Sequence, residues 1–150
     1  MKLKNVIIVL TTVLLAGCTT IKLVRGEQYK KIIAVQGKDM DELYILSSCW
    51  LVETFVSTEG VIEFQDREAG KVIGKCMLST AQTNPVFFKT NKVTKSIKCI
   101  ISIDVKDNAV RITFIPPDSL TETEAIDLKI KWRSIADEFE TYLNRTAVGW

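Results

Sequence analysis

Three kinds of apolar patterning divide this chain. Residues 6–15 form an apolar run broken only by Thr11 and Thr12. From about residue 29 to residue 115, several stretches alternate apolar with polar positions. Two other stretches repeat their apolar residues every three or four positions. Alternation puts every second side chain on one face of a strand, and the longer spacing draws one stripe along a helix. In chain order the pattern predicts a strand, a helix, four strands and a helix.

Tyr29 to Val35 is rich in β-formers and reads as the first strand, broken by Gly37 and Lys38. Asp39-Met40-Asp41-Glu42 is a capping box, so a helix should run from about Met40 to Ser57, with Gly60 beyond it. Leu43, Leu46, Trp50, Leu51 and Phe55 fall on one arc of that helix. Val61–Gln65 and Lys71–Leu78 form a hairpin around Asp66-Arg67-Glu68-Ala69-Gly70, where Gly70 supplies a positive φ. Residues 80–95, with Asn84-Pro85, read as a long polar loop.

In Lys95–Val105 the residues Cys99, Ile101, Ile103 and Val105 face one way, and Lys98, Ser102 and Asp104 the other. Val110, Ile112 and Phe114 repeat this against Arg111 and Thr113, after a turn at Asp107-Asn108. Pro116-Pro117 ends the last strand, since neither residue can donate to a ladder. Overlapping capping boxes at Ser119–Glu122 and Thr121–Glu124 then open a helix to about Asn144. Its buried stripe is Leu128, Trp132, Ile135, Phe139 and Tyr142 or Leu143. Residues 146–150 read as a frayed tail with Trp150 exposed.

The predicted class is α+β: an antiparallel sheet of about five strands with two helices on one face, in the order β-α-β-β-β-β-α. The helices should meet Ile62, Phe64, Val72, Cys76, Leu78, Cys99, Ile101, Ile103, Val110, Ile112 and Phe114.

The N-terminal run has a different purpose. Lys2 and Lys4 precede it, and Leu14-Leu15-Ala16-Gly17-Cys18 closes it. A membrane span needs about 20 apolar residues, and residues 5–16 are too few. A charged start, a short apolar run and small residues before a cut make an export signal. Leu15-Ala16-Gly17-Cys18 resembles the lipobox of bacterial lipoproteins. The resemblance implies cleavage before Cys18 and a diacylglycerol on its thiol; an export signal without lipid is the plainer alternative. It divides the chain into a signal peptide (1–17), an anchor and tether (18–28) and a domain (29–145). Thr19 is not aspartate, which in that family implies passage to the outer membrane, so the protein is expected in the cell envelope on its periplasmic side.

Removing residues 1–17 leaves 133 of the 150 residues, enough for one domain. The chain's 20 basic and 18 acidic residues then balance, because Lys2 and Lys4 leave with the signal. A balanced net charge argues against a general polyanion binder, which needs a basic face to release counterions, so no nucleic acid is expected as a partner. With no histidine, there is no histidine-based triad or metal site, and no metal or cofactor is expected. Cys49, Cys76 and Cys99 read as small buried hydrophobes, with a Cys76–Cys99 bridge as the alternative in an oxidising compartment.

Asp41-Glu42-Leu43-Tyr44 with Trp50 and Phe55, Phe64-x-Asp66-x-Glu68-Ala69-Gly70-x-x-x-Gly74-Lys75, and Ser102–Asp107 together carry a second resemblance. They are similar to a secreted family known as a domain of unknown function with a TBP-like fold, named for the TATA-box-binding protein. The resemblance covers about residues 29–145. It implies the same helix-backed sheet and brings no catalytic residues.

No nucleophile elbow and no phosphate loop is present. Asp66, Arg67, Glu68 and Lys71 at the hairpin tip form a recognition tip, an acid pair of Asp66 and Glu68, or a solvated turn. The solvated turn is preferred, because carboxylates on a turn gain little desolvation. Trp50 and Trp132 could line a pocket, but at helical spacing they read as core. Ile73, Lys75, Met77, Ile100 and Arg111 remain, with the parity of the face that the helices leave open; Lys98, Ser102, Asp104 and Thr113 share it. That face is the candidate binding surface, unless its apolar residues are ordinary exposed ones or the 80–95 loop covers them. The expected function is a non-enzymatic, membrane-anchored module that engages an envelope protein. A carrier of a small apolar ligand between sheet and helices is the alternative.

Overall fold

The computed structural model describes residues 22–55, 61–86 and 89–145, with the backbone alone over 81–93. The export signal, Cys18 and the 146–150 tail lie outside the described residues. The elements are β1 (Leu23–Val24), β2 (Tyr29–Ala34), α1 (Met40–Thr54), β3 (Ile62–Asp66), β4 (Lys71–Val86), β5 (Lys89–Lys106), β6 (Ala109–Ile115), β7 (Leu120–Thr121) and α2 (Glu122–Arg145). Strands β2-β6-β5-β4-β3 form one antiparallel sheet, so the first strand lies beside the last of the meander. The short β1 and β7 pair separately, Leu23 opposite Thr121 and Val24 opposite Leu120. The fold class is therefore the predicted α+β sheet of five strands with two helices.

The turns form for the reasons the residues suggest. Asp39 caps α1 by accepting the Glu42 N–H at 2.8 Å. Of the two boxes before α2, Thr121–Glu124 forms: the Thr121 N–H donates to Glu124 Oε2 at 2.8 Å, and the Glu124 N–H to Thr121 Oγ1 at 3.3 Å. Gly70 has φ +61° and ends the β3–β4 turn, and Asn108 has φ 58° in the β5–β6 turn.

The core lies between sheet and helices. Ile33, Val72, Cys76, Ile101, Ile103, Ile112 and Phe114 of the sheet meet Leu43 and Leu51 of α1 and Leu128, Ala136, Phe139 and Leu143 of α2. At the α2 stripe's last turn Leu143 is the fully buried residue and Tyr142 is half-buried. Trp50 and Trp132 belong to this core. The Trp50 ring sits 4.3 Å from that of Phe139, and Trp132 stacks on Phe114 at 5.8 Å.

Four expectations need correction. The polar loop over 80–95 does not exist: β4 and β5 stay paired from Lys71–Asp104 out to Val86–Lys89. A ladder joins backbone groups, so polar side chains do not stop it. Pro85 fits because its missing N–H points away from β5. Lys75, of the same parity, donates its N–H to Val61 at the β3 side, and β3 reaches no further than Gly74 along β4. Cys49 is exposed on the outer side of α1, while Cys76 and Cys99 are buried. The tether over 19–28 is not free along its whole length, since Leu23 and Val24 are paired to β7. Phe64 lies on the face opposite the helices.

Candidate binding face

The registers align the outward residues of the sheet in rows. Phe64 stands opposite Ile73, then Ser102, Thr113 and Lys30 follow across to β2. Asp66, Lys71, Asp104, Arg111 and Ile32 make the next row. Lys75 stands opposite Ile100, which faces Ile115, and Met77 stands opposite Lys98. The five residues singled out from the sequence, Ile73, Lys75, Met77, Ile100 and Arg111, thus share one helix-free face. Residues 80–86 and 89–95 continue the β4–β5 ladder rather than forming a separate loop over this face.

A β-bulge enlarges this face. The register shifts between Ile62 and Phe64, so Ile62 opposes Gly74 on the helix side and Phe64 opposes Ile73 on the other. One extra residue reverses every side chain after it. Phe64 is 48% exposed as a result, beside Met77 at 57% and Ile100 at 37%. Ile32 on β2 is 74% exposed. Sequence reasoning missed both Phe64 and Ile32. A bulge leaves no mark in the residue pattern, but the adjacent Ile32 and Ile33 could have signalled that one of them must point outward.

Three cations on this face, Arg111, Lys71 and Lys75, are paired. Arg111 donates through Nε and Nη2 to Asp104 Oδ2 at 3.2 and 3.1 Å, and Lys71 approaches Asp104 at 3.7 Å. Lys75 pairs with Glu63. Exposed pairs of this kind contribute about 0–1 kcal/mol each, so their effect is to neutralise the surface rather than to hold the fold. Ser102 and Thr113 lie side by side at the centre, sheltered by their neighbours. The result is an apolar surface around a small polar centre, with Lys30 and Lys98 as further cations in its rows, and such a mixed surface is suited to another protein.

The hairpin tip is a capped turn. Asp66 Oδ1 accepts the Ala69 N–H at 2.9 Å. Arg67 donates Nε to Asp41 on α1 at 2.9 Å. That hydrogen bond, with the attraction of the guanidinium, holds the Asp41 carboxyl below its usual range. Among the described residues, no cluster of acidic or cysteine side chains could hold a metal ion, and no helix is long and apolar enough to cross a membrane.

Cys76 and Cys99 stand directly opposite each other on β4 and β5, both as free thiols. Contact with Cys99, then burial, pushes the Cys76 thiol up, so it stays protonated. The two grooves that adjoin α2 lie on the domain's flanks. One, of about 380 Å³, is walled by Arg25, Gly26 and Leu120 on one side and Ala125, Ile126 and Lys129 on the other. The second, of about 550 Å³, lies between the ends of α1 and α2, with Glu53, Asp137 and Tyr142 among its walls.

The sequence profile of a family matches residues 29–116, from β2 to the first proline after β6. The chain belongs to the family described as a domain of unknown function (DUF4468) with TBP-like fold. The matched part stops before α2, short of the residue 145 expected from the sequence. Similar solved structures include a DUF4468 family protein from Bacteroides ovatus, at 12% identity over 76% of this chain and 79% of that one, with a TM-score of 0.50. A TBP-like protein from Parabacteroides distasonis is 9% identical over 75% of this chain and 92% of that one, with a TM-score of 0.51. At such identities the likeness is one of fold, and fold does not carry function. No curated protein matches the chain.

Proposed function

We propose that this DUF4468 protein is a non-enzymatic lipoprotein of the cell envelope, acylated at Cys18, whose helix-free sheet face engages a protein partner. The observation that carries the reading is the exposed apolar surface of Phe64, Met77 and Ile100, with the neighbouring Lys75 and Arg111 held in ion pairs. Contiguous exposed apolar surface of this kind marks an interaction site. The lipobox residues Leu15–Cys18 support the anchor, and the balanced charge after cleavage argues against nucleic acid. The carrier alternative is less well supported, because stacked aromatic rings occupy the space between sheet and helices.

The face is tested with a photo-crosslinking side chain at the exposed Met77 of the same face in the native envelope, followed by mass spectrometry. One protein should be captured there and lost with Ile100→Asp, whose urea midpoint stays at the wild-type value. Capture that persists in the folded Ile100→Asp protein refutes the face. The anchor is tested separately by fatty-acid labelling of wild type and Cys18→Ser, where label in the wild type alone is expected.

A further inference from the structure

The pairing of β1 with β7 decides how an anchored domain would stand on its membrane. Residues 19–28 read from the sequence as a tether of ten residues, long enough to let the domain turn freely. In the structure Leu23 and Val24 are stitched to Thr121 and Leu120, immediately before α2. Only Thr19, Thr20, Ile21 and Lys22 then separate Cys18 from the folded domain. At about 3.3–3.6 Å per residue, the five steps from Cys18 to Leu23 span at most about 18 Å. The first turns of α2 are therefore held close to wherever the lipid sits.

That end of the domain is built for an interface. Leu23 is 65% exposed, and on the outward side of α2 so are Ile126 at 60% and Ile130 at 66%. The two isoleucines are four positions apart, so they stand one above the other on the helix. The flanking groove is walled by Arg25 and Lys129, and Lys22 and Arg133 are also exposed. On the groove itself Glu27 and Glu122 match Arg25 and Lys129, so the excess of cations over the patch comes from Lys22 and Arg133. Isolated apolar residues in a basic rim match the boundary between acyl chains and anionic headgroups.

We propose that Leu23, Ile126 and Ile130, with Lys22, Arg25, Lys129 and Arg133, form a membrane-contact surface that lies on the headgroup layer of an anionic phospholipid bilayer. The inference rests on acylation of Cys18 as proposed above. It fixes the orientation of the domain. Both helices pack on one side of the sheet, so a bilayer against the outer side of α2 leaves the Phe64–Ile100 face pointing away into the compartment. The anchor and the candidate binding face then occupy opposite sides of the molecule.

The test uses the full acylated protein in vesicles of phosphatidylethanolamine and phosphatidylglycerol. A photo-crosslinking side chain is placed in turn at Ile126, Ile130 and, as the opposite face, Ile100. Phospholipid adducts should be several-fold more abundant at Ile126 and Ile130 than at Ile100, and vesicles without phosphatidylglycerol should reduce them. Equal yields at the three positions, or a higher yield at Ile100, overturn the orientation while leaving the anchor intact. Wild-type protein that carries no fatty acid overturns the anchor itself, which intact-mass measurement shows before any crosslinking is done.

Discussion

Glu124 joins three parts of the fold, and replacing it with alanine should show how much they depend on it. Its carboxylate accepts the Thr121 N–H at 2.8 Å and Lys95 Nζ at 2.8 Å, tying the start of α2 to the long β5 strand. The side chain is 2% exposed. Loss of the cap leaves a helix-start N–H without its acceptor, which costs about 0.5–2 kcal/mol. Loss of the charged bond adds about 1 kcal/mol or less, because Lys95 is half-exposed and water replaces the carboxylate. Glu124→Ala should therefore lower stability by roughly 0.5–3 kcal/mol, or Tm by roughly 2–15 °C at about 3–5 °C per kcal/mol for a domain of this size. The hydrogen bond from Lys95 comes first among the influences that hold the Glu124 carboxyl below its ordinary value of 4.5. A depressed carboxylate stabilises the fold fully above its unfolded pKa, and that stabilisation is lost as pH falls through the folded pKa. The gap between wild type and Glu124→Gln should thus be widest near neutrality and shrink below about pH 4.5. Urea titrations at several pH values measure both effects. A Glu124→Ala protein within about 0.5 kcal/mol of wild type, the range of an ordinary surface substitution, would refute the reasoning.

Three further outcomes follow from the same structure. Gly70→Ala should cost about 1–3 kcal/mol, because the position has φ +61° and an added Cβ would sit 2.5 Å from the Val105 carbonyl oxygen; an unchanged urea midpoint would contradict this. Iodoacetamide should modify Cys49 in the native protein and reach Cys76 and Cys99 only after unfolding, and early modification of Cys76 on a peptide map would show the sheet to be open there. Phe139→Ala should cost about 3–5 kcal/mol by removing the ring that packs on Trp50, and a loss below about 1 kcal/mol by differential scanning calorimetry would mean that the core can close around the gap.

The five-stranded sheet, both helices, the Asp39 cap, the Gly70 and Asn108 turns and the stripe of α2 were legible from the chain alone. Each depends on neighbours a few positions apart, where spacing and turn chemistry act directly. The five candidate residues of the open face were legible too, since parity along a strand assigns a side once the buried side is known.

What depends on partners distant in sequence was decided only by the tertiary structure. The reach of the β4–β5 hairpin came from backbone pairing that ignores polar side chains. The side taken by Phe64 came from one extra residue in β3, whose effect exists only against β4. The pairing of Leu23 and Val24 with Leu120 and Thr121 joins segments nearly a hundred residues apart, and nothing in either segment announces the other. Local pattern determines which side of an element is apolar; register and long-range pairing determine where that side ends up.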